Sequence, residues 1–211
     1  VTYAYNISGG AVVRWYRDAL GGIFRREAER SAIDIYDVFN RDCPAEPSSL
    51  LVLPFLQGMG GTPQVNPSTT GLIAGLTTQT RLSDIYRAIL EGITFEMHYN
   101  QDALAENGVT FERLYACGGG ARSNVWLQIK ADILGCEIVR VETEETGAMG
   151  SAILGFAAVT GESPLKIASH FVRYGKHFVP NSANQAIYER QYAQYCLLRD
   201  FYTKSERYAN K

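Results

Sequence analysis

Apolar positions along the chain fall into short continuous runs and helical stripes, and the clearest unit spans residues 114–134. It opens with the apolar run Leu114, Tyr115, Ala116 and Cys117, passes through three glycines, and continues with Trp126, Ile129 and Ile133 on one helical face. This predicts strand, turn and helix, with residues 137–141 as the next strand. Upstream, Val13, Trp15, Tyr16 and Leu20 predict a helix stopped at Gly21 and Gly22, and Ala28, Ile35 and Phe39 predict a second over 27–40. Residues 43–49, with Pro44 and Pro47, read as a loop. Residues 50–55 and 71–76 predict short strands, and between them 56–70 is rich in glycine and proline. A loop of that length is either functional or a surface excursion. Tyr86, Leu90, Ile93, Met97 and Leu104 predict the longest helix, 82–106, ended by Asn107 and Gly108. Residues 147–160 predict a helix so rich in small residues that it has to pack closely against a neighbour, broken by Gly161, Ser163 and Pro164. An edge strand is expected within 171–180. The last helix, from Ala183, carries Tyr188, Tyr192, Tyr195 and Tyr202 on one stripe, the mark of core or partner packing.

Composition narrows the class. The 211 residues are 46% apolar and 11% aromatic, enough for a sizeable core in one large domain or two small ones. A net charge of -2 with acids and bases interspersed gives no basic face for nucleic acid. Cys43, Cys117, Cys136 and Cys196 form no CxxC pair, and His98, His170 and His177 are scattered, so free thiols in a reducing cytoplasm and no zinc site are expected. The longest nearly uncharged apolar stretch, 147–161, is too short to span a bilayer. Residues 1–10 lack the basic and apolar regions of a signal peptide. The chain opens on Val1 in mid-pattern, as a piece of a longer protein would.

The candidate chemistry sits at the glycines. Gly118, Gly119 and Gly120 allow positive φ and leave no Cβ between backbone and ligand, while Ser123 or Asn124 is placed to cap the following helix. Open amides at the positive end of a helix dipole favour an anion or a polar ligand. A tight strand-to-helix connection also needs glycine on steric grounds alone, so both readings stand. The same unit imitates a dinucleotide-binding βαβ, with Glu142 as the acid beyond the second strand but Ser123 where the third glycine belongs. A nicotinamide-dependent oxidoreductase is therefore one alternative.

Two stretches together are more specific. GLIAGLTTQTRLSDIYRAILEG, residues 71–92, resembles the C-terminal signature of the FGGY family of carbohydrate kinases: Gly75 and Leu76, a seven-residue spacer, then Asp84, Ile85, Ala88, Ile89, Leu90 and Glu91. GGGARSNVWLQIKADILG, residues 118–135, resembles the same family's adenosine motif, including Asn124, Gln128, Ala131 and Asp132. ETGAMGSAILGFAAVTG, residues 145–161, is similar to the segment that follows, and GGAVVRWYRD to the family's usual opening of its second domain.

The resemblance implies the C-terminal, nucleotide-binding lobe of a two-lobed actin-like ATPase of ribonuclease H-like fold, an α/β mixed sheet flanked by helices. It implies ATP and Mg²⁺ as cofactors and a sugar or polyol as substrate, with xylulokinase-like members the expected subfamily. Carried over by position, Gly119 and Gly120 approach the adenosine and Asn124 meets the adenine edge. Gln128, also assigned to the nucleotide site, lies with Asp132 on the helix behind and orients it. Gly147 and Gly150 let the next helix pack near the same site, and Glu91 is structural. The loop 57–67, QGMGGTPQVNP, lacks the acid and base often found there in the family. The sugar pocket, both phosphate loops and the aspartate base are expected upstream of Val1, so no catalytic residue is assigned, and the chain alone is expected to be inactive and to bind nucleotide weakly. A non-catalytic nucleotide-binding or scaffolding module is the other alternative. A homodimer through the tyrosine stripe is a further expectation.

Overall fold

The computed structural model describes residues 3–61, 65–143 and 145–204. In chain order, helix α1 (Gly10–Trp15) runs into a π-helical turn (Tyr16–Leu20) and is followed by α2 (Gly22–Ser31) and α3 (Ile35–Asp42). Strands β1 (Leu51–Leu53), β2 (Met59–Gly60), β3 (Val65–Asn66) and β4 (Leu72–Ala74) precede the long α4 (Leu82–Ala105). The second half holds β5 (Arg113–Ala116), α5 (Asn124–Leu134), β6 (Glu137–Val141), α6 (Thr146–Thr160), α7 (Pro164–Phe171), β7 (Tyr174–Phe178) and α8 (Ser182–Lys204). β1 pairs antiparallel with β4 and β2 with β3, while β5-β6-β7 forms a sheet in which β5 and β6 are parallel and β7 is antiparallel.

Helix α5 joins two cores. Trp126, Ile129 and Ile133, the predicted stripe, face the main core with Tyr16, Phe39, Leu53, Phe55, Leu90 and Phe95. Leu127, Ala131 and Leu134 face Ile138 and Phe178 of the sheet. A helix packed on both sides carries two apolar faces, and the second was not separable from the first by period alone. Helix α4 lies on β1 so closely that a Cβ on Gly92 would sit 2.3 Å from the Val52 carbonyl oxygen. Beside it Glu91 is buried, accepting from Arg87 Nε at 2.7 Å, Tyr188 Oη at 2.8 Å and the Ser48 N–H at 3.2 Å. Arg87 also donates to the Pro44 carbonyl at 2.6 Å. One ion pair thus ties α4 to loop 43–49 and to α8, the structural role expected of Glu91.

Several expected elements differ. The helix expected over 27–40 is two helices, because Ala32 takes a left-handed conformation (φ 52°) and the Asp34 side chain caps α3 by accepting the Tyr36 N–H at 2.8 Å. The first helical run ends at Gly21 as expected, where a Cβ would lie 2.4 Å from the Arg17 carbonyl oxygen, but Gly22 does not stop a helix and instead opens α2. Strands 50–55 and 71–76 shorten to the three-residue β1 and β4. Part of the 56–70 excursion forms the β2-β3 ladder, and residues 62–64 of it lie outside the described residues. α6 ends at Thr160, before the expected break, and Pro164 also opens an unexpected helix, α7, since proline's missing N–H costs nothing in a first turn.

Half of the tyrosine stripe of α8 is spent inside the molecule. Tyr188 and Tyr195 are buried against Phe95, and Tyr192 stacks on His98 with ring centroids 4.0 Å apart. Tyr192 and Tyr202 of the stripe stay half-buried, so two of its four rings are fully committed to the core.

Candidate functional site

The connection from β5 to α5 is built for close approach. Gly118 has φ 75° and ψ -172°, a region only glycine occupies without strain, and Gly119–Arg122 form a 3₁₀ turn leading into α5. A Cβ on Gly118 or Gly119 would meet nothing within 4 Å, so this side of the turn is open. Gly120 is different: its Cβ would lie 2.9 Å from the Trp126 ring, so its bareness makes room for that indole. Of the two capping candidates, Ser123 is the cap. Its Oγ accepts the Trp126 N–H at 3.1 Å and donates to Asn40 Oδ1 at 2.7 Å, and Tyr86 Oη donates to the same oxygen at 3.2 Å. The end of α3 therefore holds the start of α5 from 83 residues away, a contact for which the sequence carries no motif.

Asn124 is exposed at the first position of α5, and its Oδ1 accepts from Arg140 Nη2 at 2.5 Å. Gln128 points elsewhere: its Nε2 donates to Asp132 Oδ1 at 2.7 Å and to the Val179 carbonyl at 2.8 Å. Buried Asp132 also accepts the Asn181 N–H at 2.9 Å and Asn184 Nδ2 at 2.8 Å. This pair pins the β7-α8 connection to the back of α5. The structure thus gathers Gly119 and Asn124, with Arg140 added, at the turn, and places Gln128 and Asp132 behind it. Gly147 and Gly150 lie in the first turns of α6. No atom lies within 4 Å of a Cβ at either position, and α6 packs through Ile153 and Ala157 on Ile167 of α7. The close neighbour that its small residues call for is not among the described residues, and Val159 is 87% exposed.

A concavity of about 410 Å³ lies between α4, α5 and β5, and neither Gly119 nor Asn124 lines it. Lys130 lines it with its ammonium 4.2 Å from the Trp126 ring centroid. Burial pushes this ammonium down to about 8. The unfolded chain, titrating near 10.5, then binds more protons than the folded one between those values, so stability rises with pH across that window. Lys130→Met is expected to be more stable than wild type at pH 7, with the gap closing as pH rises from 8 to 10. Urea unfolding across that range measures it, and a gap that stays constant would refute the burial argument.

Chemically, an open glycine turn at the C-terminal end of a parallel strand, facing free amides of a helix start, is a seat for an anionic or polar ligand. No group of three or more His, Cys, Asp or Glu side chains converges to hold a metal among the described residues. Residues 3–159 match the profile of the FGGY family of carbohydrate kinases, C-terminal domain. A ribulokinase from Geobacillus thermodenitrificans is 32% identical over 211 residues, covering 93% of this chain and 37% of that protein. Among solved structures, a ligand-bound xylulose kinase from Lactobacillus acidophilus superposes with a TM-score of 0.79 at 24% identity, over 98% of this chain and 40% of that one. A Plasmodium falciparum glycerol kinase with ADP gives 0.64 at 21% identity, over 85% and 36%. These likenesses show the mixed α/β fold of sugar kinases, and the chain spans little more than a third of the length of the relatives it matches. The match leaves the nicotinamide reading without support, and Ser123 is committed to capping rather than to a third glycine's role. By its match over most of its length, the chain belongs to the FGGY family of carbohydrate kinases, as their C-terminal domain.

Proposed function

We propose that this chain is the nucleotide-holding lobe of an ATP-dependent carbohydrate kinase, a piece of a longer two-domain protein whose other part holds the sugar or polyol and the carboxylate base. The observation that carries this is the open turn: Gly119 without a neighbour, beside the exposed Asn124 at the start of α5. A relative of the same fold has been solved with ADP. The exposed Leu154, Phe156 and Val159 of α6 further support a longer protein, since an uncovered helix apolar on all sides has no place on a free surface.

In this reading the chain's own residues bind and orient. The bare Gly119 admits the adenosine, the α5 amides favour the nucleotide's anionic end, and Asn124 bonds to the base. Gln128 and Asp132 keep α5 in place. Mg²⁺, which neutralises charge on the transferred phosphoryl group, is assigned to the nucleotide's phosphates, and no side chain of this lobe is given to it. The four cysteines, free among the described residues, suit a reducing cytoplasm, and no described helix is long and apolar enough to cross a membrane.

Calorimetric titration of ADP with Mg²⁺ into the chain tests the reading. Weak binding is expected, reduced about tenfold by Asn124→Ala through one lost hydrogen bond. Gly119→Val should abolish it by filling the open face while leaving the melting temperature unchanged. Gly120→Val is unsuitable because it collides with Trp126. A folded wild type that binds no adenine nucleotide would remove the proposal.

A further inference from the structure

Arg140 lies outside both stretches that carry the kinase resemblance, yet it reaches the proposed base-binding side chain. Its Nη2 donates to Asn124 Oδ1 at 2.5 Å and lies 3.4 Å from the Arg122 carbonyl oxygen, and its guanidinium carbon sits 5.7 Å from the Phe178 ring centroid. Its Nε is buried without a partner, and no carboxylate pairs with it among the described residues. The group is held by a ring, a carbonyl and one amide oxygen.

A guanidinium has five donors and no acceptor, so only the oxygen of the Asn124 amide can face it. The amide nitrogen is consequently turned away from Arg140, on a side chain that is exposed. We propose that Arg140 sets the base preference of this site by fixing the Asn124 amide in one orientation. The inference rests on the nucleotide reading above. An amide so held offers N–H donors and, through the second lone pair of Oδ1, one acceptor. Adenine presents the matching pair, a ring nitrogen acceptor beside the N6 amino donor. Guanine and hypoxanthine carry O6 where adenine carries N6, which sets oxygen against Oδ1. Relief would need the amide to rotate, and rotation would turn its NH₂ into the donors of Arg140. Adenine is therefore accepted and 6-oxopurines are refused by a residue that does not itself touch the base.

The test compares ADP, GDP and IDP by calorimetry in the wild-type chain, Arg140→Met, Arg140→Lys, Asn124→Ala and the double variant Arg140→Met with Asn124→Ala, with each variant's melting checked. Wild type is expected to prefer ADP over both 6-oxopurine nucleotides by about tenfold or more, one well-placed pair of hydrogen bonds. Arg140→Met should bring the three affinities to within about threefold of one another, as Asn124→Ala does, and the double variant should be no worse than Asn124→Ala, because both act on one contact. Arg140→Lys, still a pure donor, should keep the preference. A cation acting only on the phosphates would weaken all three nucleotides equally in Arg140→Met and leave the preference intact, which would overturn the proposal. Loss of the preference in a folded Arg140→Lys would overturn it as well. ADP binding that ignores Asn124→Ala would show that the base is not read there, sinking this inference while the nucleotide seat stands. Failure of wild type to bind any of the three would sink both.

Discussion

Glu91→Ala is expected to destabilise the chain by about 3–5 kcal/mol, because it leaves the Arg87 charge buried without its counterion. Both side chains are almost fully buried, and Arg87 also donates from Nη1 to the Pro44 carbonyl and from Nη2 to Tyr188 Oη. Among the described residues no carboxylate other than Glu91 pairs with Arg87. For a chain of this length the loss corresponds to a fall of roughly 10 °C in melting temperature. The companion variant Arg87→Met with Glu91→Leu removes both charges together and should cost distinctly less than Glu91→Ala alone, since a buried pair replaced by apolar groups leaves no orphan. Urea unfolding of the three proteins decides it. A loss under about 1 kcal/mol for Glu91→Ala, the scale of an exposed pair, would mean that the network is solvated.

Gly92→Ala should show a reversal of sign. In an ordinary exposed helix the exchange stabilises by about 1 kcal/mol, because alanine gives up less backbone entropy. Here the new methyl group would lie 2.3 Å from the Val52 carbonyl oxygen and 3.0 Å from Val52 Cβ, both fixed in the middle of β1. Either α4 or β1 must move, and overpacking of this kind costs about 1–3 kcal/mol, occasionally more. We expect a net loss near the top of that range and a larger one for Gly92→Val, read from denaturant midpoints at constant slope. A stabilised Gly92→Ala would show that α4 and β1 yield easily. Glu91 and Gly92 close the stretch that carried the family resemblance. The structure gives their adjacency a physical sense, one holding α8 and loop 43–49 to α4 and the other letting β1 lie against it.

The central strand, glycine turn and helix were legible from period and composition, because a stripe at i, i+3 and i+7 and three consecutive glycines are local signals. Where the helical path breaks was not legible at Ala32, since a left-handed alanine has no signature and Asp34 looks like any surface acid until it caps. Tyr188, Tyr192, Tyr195 and Tyr202 were recognisable as a packing stripe, but the surface the first three pack on, Phe95 and His98 of α4, is about a hundred residues distant in the chain.

At the site the division is sharper. The sequence by itself determined the family, the order of the elements, and the segment whose bare glycines and helix start form the turn, because each depends on residues next to one another. Only the tertiary structure decided what surrounds that turn. It separated Gly119, open to a ligand, from Gly120, closed by Trp126, and turned Gln128 toward Asp132 and Val179. It also brought in Asn40 and Arg140, which are 83 and 16 residues from the side chains they hold. The physical reason is that backbone conformation is set largely by near neighbours, whereas the partner of a hydrogen bond is whichever donor or acceptor the packed core delivers to that point.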